Sequence, residues 1–184
     1  QRLSFREIDR LSDKLAHILY GFGLRQGDKA VVQMPNVVEI VVAYFAASKL
    51  GLVLSPVAMQ YGRFELAHID EILLPNAYIA FEEFSGESYG RANSECFRKN
   101  CHRVILDGEG WSAEEIEDWS SFQSYLRTLK IDANDIFTIC WTSGTTGRSK
   151  GVPRSYNHWL SSTLASEDAI RLSKEAIMLN PFPF

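Results

Sequence analysis

Short apolar runs of strand length alternate along this chain with longer stretches of helical periodicity, and that alternation restricts the fold more than any single residue does. Phe5, Ile8, Leu11, Leu15, Ile18 and Leu19 recur on one helical face, with Ser4 placed to cap the start and Gly21 and Gly23 to end it. Gly27-Asp28 turns the chain into Lys29 to Met34, an apolar run that Pro35 stops. Asn36 with Glu39 three residues later has the spacing of a capped helix start. The following segment to Leu50 is apolar around most of its circumference, which predicts a helix buried on more than one side. Gly51 supplies a left-handed stop, and Leu52 to Val57 is the next strand. Arg63 to Leu73 then reads as helix, and Ala77–Phe81 and Arg103–Leu106 as strands. Strands without a polar face, alternating with helices, predict an α/β fold with a mostly parallel sheet flanked by helices on both sides.

Composition narrows the function classes. The chain has 184 residues, 46% of them hydrophobic, enough for a sizeable core and short for two domains. A formal net charge of −4 gives no global attraction to nucleic acid or anionic lipid. The longest apolar stretch, Val37 to Ala47, is interrupted by Glu39 and is too short for a membrane span, and no cleavable signal opens the chain. These features, with the odd cysteine count of Cys96, Cys101 and Cys140, predict a cytoplasmic protein with reduced thiols. Cys96, Cys101 and His102 imitate a metal cluster, but no second Cys/His pair follows to complete four ligands, so no metal site is expected. Gln1 opens the chain without an initiator Met, and Ile177 to Phe184 reads as a strand reaching a turn. The chain therefore reads as a fragment of something longer. Between Phe84 and Cys101, and from Asp107 to Ser120, polar residues and glycine predict surface segments with at most one short helix.

The chemistry concentrates at one place. Ile136 to Trp141 reads as a buried strand and runs directly into Thr142, Ser143, Gly144, Thr145, Thr146, Gly147, Arg148, Ser149, Lys150 and Gly151. Glycines let backbone N–H groups turn inward, hydroxyls add short donors, and Arg and Lys add charge; together they describe a cradle for phosphate oxygens. The Walker pattern sets its Lys directly after the last Gly and opens a helix there. Here two residues separate Gly147 from Lys150, and Pro153 disfavours helical geometry at Val152. The run is therefore expected to join two extended segments.

These residues resemble the signature Thr-Ser-Gly-Thr-Thr-Gly-x-Pro-Lys-Gly of the adenylate-forming superfamily: acyl- and aryl-CoA synthetases, nonribosomal peptide adenylation domains and luciferases. Thr142 to Gly151 matches it except that Ser149 stands where Pro is usual. Leu3 to Ile8 is similar to the family's opening Leu-Thr-Tyr-x-Glu-Leu, Gly23 to Asp28 to its Gly-Val-x-x-Gly-Asp, and Pro35-Asn36 with Glu39 to its Pro-Asn-x-x-Glu. The resemblance implies that residues 1–184 form a single N-terminal fragment of the large AMP-binding domain. It implies activation of a carboxylic acid by ATP, with Mg²⁺, to acyl-adenylate and pyrophosphate, then transfer to the thiol of CoA or a carrier protein. It also implies that Ser143, Thr145, Thr146 and Lys150 contact the β- and γ-phosphates, with Gly144 and Gly147 shaping the backbone and Thr142 opening the loop. Asn180 to Phe184 is similar to the start of the family's next motif, but the adenine, ribose and late-lysine segments are not in these residues, so the fragment alone is expected to be inactive and no catalytic residue is assigned.

Two other classes stay open: a non-catalytic nucleotide- or phosphate-binding module, and an unrelated phosphate-binding enzyme. His158, near a helix start that Ser155 or Asn157 could cap, reads as cap support, and His17, His68 and His102 as structural or exposed. Glu82-Glu83 and Glu114-Glu115 read as solvated pairs, since adjacent side chains diverge. Trp111, Trp119, Phe122 and Tyr125 read as packing of a helix at Ser121 to Leu129.

Overall fold

A computed structural model describes residues 2–84, 86–106, 119–142, 148–173 and 175–177. The elements in chain order are α1 (Phe5–Gly21), β1 (Lys29–Gln33), α2 (Val38–Leu50), β2 (Val53–Pro56), α3 (Arg63–Leu73), β3 (Ala77–Phe81), β4 (Glu83–Phe84), β5 (Glu87–Ser88), α4 (Gly90–Ser94), β6 (His102–Leu106), α5 (Trp119–Leu126), β7 (Ile136–Thr142), β8 (Lys150–Ser155) and α6 (Tyr156–Ile170).

Among the described residues one sheet runs in the order β6-β3-β1-β2-β7-β8, and every neighbouring pair is parallel except β7 with β8. The expected mostly parallel sheet flanked by helices is therefore present. Its chain path follows from right-handed crossovers. From β1 the chain steps to β2 on one side, then returns past β1 to β3 on the other, so the helices of the two steps fall on opposite faces. Side-chain alternation matches this division. Ala30, Val32, Leu54, Ala77, Ile79, Val104 and Leu106 point into the core shared with α1, α2 and α5, whereas Val31, Tyr78 and Ala80 meet Leu66, Ile69 and Leu73 of α3 and Phe97.

The helices show why their sequences read as they do. α1 is amphipathic, with Leu15 and Leu19 fully buried, and Ser4 caps it: the Ser4 hydroxyl accepts from Glu7 N–H, while the Glu7 carboxylate accepts from Ser4 N–H at 2.7 Å. α2 lies between α1 and the sheet, which is why it is apolar around most of its circumference. Lys49 of α2 reaches Asp9 and Asp13 of α1 at 2.6 Å each. Gly51 ends α2 at φ 66°, in the left-handed region.

Several expectations change. Asn36 does not cap α2; Val37 stands at that position without a side-chain cap, because Val37 N–H already closes a tight turn on the Pro35 carbonyl at 2.8 Å. The 84–101 region adds to its short helix an antiparallel ribbon of β4 and β5, with Gly86 turning at φ 80°. Glu82 is not merely solvated: its carboxylate accepts from Ser88 Oγ at 3.0 Å and Arg91 N–H at 3.1 Å, tying the ribbon to α4. The helix expected at Ser121 to Leu129 already includes Trp119 among the described residues and ends at Leu126. β7 is not the buried strand expected: only Thr138 is fully enclosed, since β8 and α6 beside it bury little. Trp111, the Glu114-Glu115 pair and the run from Met178 to Phe184 lie outside the described residues.

Candidate functional site

In an open parallel sheet the carboxyl ends of the strands form one edge, and ligands bind there. β7 delivers the glycine- and hydroxyl-rich run to that edge. Instead of a helix, an antiparallel partner follows: β8 returns along β7 with Thr142 opposite Lys150, Trp141 opposite Gly151, and Cys140 opposite Val152. The expected loop between two extended segments is thus the tip of a hairpin. Pro153, which argued against a helix, sits on the outermost strand of the described sheet, where a missing N–H is tolerated.

Of the residues assigned to the phosphate cradle, Thr142 and Lys150 stand as the closing pair of that hairpin, both exposed, with Thr142 Oγ1 3.5 Å from the Lys150 carbonyl. Ser143, Gly144, Thr145, Thr146 and Gly147 lie outside the described residues. Gly151 has a packing reason of its own: a Cβ there would stand 2.9 Å from Ile139 Cγ2 and 3.5 Å from the Trp141 ring.

Side chains distant in sequence hold the two limbs. Trp141 Nε1–H donates to Ser55 Oγ of β2 at 2.7 Å, and that hydroxyl lies 3.3 Å from the Ile139 carbonyl. On the returning limb the Ser149 carbonyl lies 3.1 Å from His68 Nε2 of α3. An open groove of about 500 Å³ runs beside this contact, lined by Arg63, Phe64, Ala67, His68, Glu71 and Arg148. Below, Thr138 Oγ1 accepts from Trp159 Nε1–H of α6 at 2.8 Å. Ser155 caps α6; its N–H donates to His158 Nδ1 at 3.1 Å, so His158 completes the cap.

A buried polar network supports the same edge. Gln33, at the end of β1 and 1% exposed, accepts through Oε1 from Tyr78 Oη–H at 2.7 Å and Asn93 Nδ2–H at 3.0 Å. Its amide nitrogen donates to the carbonyls of Ala58 at 3.0 Å and Tyr61 at 2.9 Å, in the segment that leads from β2 to α3. Burial pushes the Tyr78 hydroxyl far above the usual phenol range, so it remains a donor. Sequence reasoning read His68 only as structural or exposed and passed over Ser55 and Gln33, although each of these two is a polar residue inside an apolar strand.

Cys101 is packed in the α3-side core, where burial pushes its thiol up to about 11, and the His102 ring stacks on Phe22 at 5.2 Å. The imitation metal cluster is therefore split between core and surface.

The model of the AMP-binding enzyme family matches residues 1–184, the whole of this sequence. The chain belongs to the AMP-binding enzyme family. A relative in that family, the pseudomonine synthase PmsE of Pseudomonas entomophila, is 30% identical over 191 residues, covering 100% of this chain and 31% of the relative. The 2-succinylbenzoate–CoA ligase of Bacillus licheniformis is 29% identical over 165 residues, 87% of this chain and 30% of the ligase. Among solved structures, apo MatB from Rhodopseudomonas palustris superposes with a TM-score of 0.77 at 23% identity, over 100% of this chain and 35% of that one, and so shares the fold. The chain spans about a third of the length of the curated relatives it matches.

Proposed function

We propose that these 184 residues are part of the large N-terminal domain of an AMP-forming acid:CoA ligase, and that the Thr142–Gly151 hairpin tip holds the β- and γ-phosphates of ATP. The observation that supports this reading is the pairing of Thr142 with Lys150 where β7 ends, at the carboxyl edge of the parallel strands. In the proposed reaction a carboxylate oxygen attacks the α-phosphorus of ATP, the bond to the β-phosphate bridge oxygen breaks, and pyrophosphate leaves. Ser143, Thr145, Thr146 and Lys150 would take up the charge that develops on pyrophosphate, with Gly144 and Gly147 leaving room for backbone donors and Thr142 anchoring the entry. A thiolate, from CoA in preference to a carrier protein, then attacks the acyl carbon and AMP departs.

The name of the Bacillus licheniformis relative supports CoA as acceptor and an aryl acid among the acids considered. Amino acids are the less favoured substrates. No group of three His, Cys, Asp or Glu residues fit to hold a metal gathers among the described residues. Mg²⁺ would come with ATP, riding on its phosphates as it does in many nucleotide sites. Among the described residues no helix is long and apolar enough to cross a membrane. The proposed setting is the cytoplasm, where ATP and CoA meet. Because positioning supplies on the order of 7–11 kcal/mol of such a barrier, the 184 residues alone are expected not to catalyse acid-dependent ATP–pyrophosphate exchange.

The test is Lys150→Ala in the full-length enzyme. Lys150 is exposed, so folding should survive. A charge-assisted contact is worth about 1.5–3 kcal/mol, so adenylation should slow by roughly ten- to a hundred-fold. Thioester formation from preformed acyl-adenylate should change little, because pyrophosphate has already left. Equal losses in both half-reactions would reject the phosphate role.

A further inference from the structure

His68 lies on α3, 81 residues before the serine whose carbonyl it meets. A carbonyl oxygen only accepts, so Nε2 carries the hydrogen in this contact, a condition that the Nε2–H tautomer and the imidazolium both satisfy. α3 is a firm support. Leu66 and Ile69 are fully buried beneath the sheet, the Arg98 guanidinium reaches Asp70 at 3.2 Å, and Gln33 clamps the segment leading into the helix. Among the described residues, the Ser149 limb faces an open groove between α3 and Arg148 on this side. The other limb is fixed independently, through Trp141 and Ser55.

We infer that His68 is a positioning residue: its hydrogen bond to the Ser149 carbonyl ties the returning limb of the hairpin to α3 and so sets where the next residue, Lys150, stands. The consequence for ATP rests on the phosphate-loop reading, but the tie itself does not.

Trypsin cuts after arginine and lysine, so the bonds after Arg148 and Lys150 report directly on this limb. The experiment compares the intact wild-type protein with His68→Ala and His68→Gln, whose amide nitrogen reaches the place of Nε2. His68→Ala is expected to be cut roughly three- to tenfold faster at these two bonds, the change that losing one hydrogen bond brings to a local opening equilibrium. Cutting after Arg127 and Lys130 and the urea midpoint should stay as in wild type, and His68→Gln should restore most of the protection. An unchanged rate in His68→Ala would overturn the inference, as would His68→Gln cut as fast as His68→Ala, or acceleration at all sites with a lowered midpoint. In ATP–pyrophosphate exchange by the full-length enzyme, His68→Ala should raise KM for ATP by a similar factor and leave KM for the acid unchanged. Adding Mg-ATP separates the two readings. If the variants differ in cutting but ATP protects none of them, the phosphate reading fails and the positioning role stands; if ATP protects all equally and the variants do not differ, His68 loses its role and the phosphate reading stands.

Discussion

Gln33 joins five partners from three parts of the chain, and removing it takes away the acceptor of the fully buried Tyr78 hydroxyl. Gln33→Leu keeps the approximate volume but abandons the Tyr78 hydroxyl, the Asn93 amide and the carbonyls of Ala58 and Tyr61. The expected loss is about 2–4 kcal/mol, read as a lower urea midpoint. Adding Tyr78→Phe should return part of that loss, because it removes one orphaned hydroxyl; strictly additive destabilisation by the pair would contradict the network. Cys101 gives a pH signature at the same scale. Its thiol, 2% exposed in the core, has a folded-state value of about 11 against an ordinary 9.0. The raised value means that the neutral thiol stabilises the fold below pH 9, and that this contribution fades as pH rises from about 9 towards 11. Wild type should therefore lose stability across that window relative to Cys101→Ala. Parallel pH profiles for the two proteins would show that burial does not govern this thiol.

At the scale of elements, the ends of helices carry the most information per residue. Gly51 stands at φ 66°, and a Cβ there would come within 2.9 Å of Gln26 Cγ. The Gln26 amide in turn donates to the Lys130 carbonyl at 2.7 Å, so α2's stop is coupled to the segment before β7. Gly51→Ala should cost about 1–2 kcal/mol from backbone strain alone. Thermal unfolding would measure it, and an unchanged Tm would mean that the turn tolerates a side chain. Such stops and caps were legible beforehand where they depend on neighbours in sequence, as at Ser4 and Gly51, while the structure chose Ser155 over Asn157 as the cap of α6. Asn36 failed as a cap because Pro35 and Val37 had already closed a turn, a choice of backbone geometry that the residue types leave open. The phosphate-type run of Thr142 to Gly151 was legible for the same local reason, since glycines, hydroxyls and cations act over a few residues. That two extended limbs would flank it followed from Pro153; that they pair with each other, Thr142 against Lys150, is a matter of register.

Across the whole molecule, one flank contrasts with the rest. Leu160, Leu164 and Ile170 of α6 are 58%, 63% and 61% exposed, and Val152 of β8 is exposed too. Apolar patches of this kind associate in water. The 184 residues prepared alone are expected to self-associate at micromolar concentration, and Leu160→Lys with Leu164→Lys should restore a monomer in light scattering. A wild-type chain that stays monomeric at those concentrations would remove the patch as a source of attraction. By itself the sequence determined the alternation of the main strands and helices and a run of phosphate-type residues between two extended segments, because periodicity and turn chemistry operate between near neighbours. The tertiary structure decided which strands lie side by side, that β7 stands half open and not buried, and that His68, Ser55 and Gln33 converge on the edge where the run emerges. Those contacts join residues tens of positions apart, and no local preference encodes them; they exist because right-handed crossovers return the chain to both sides of β1.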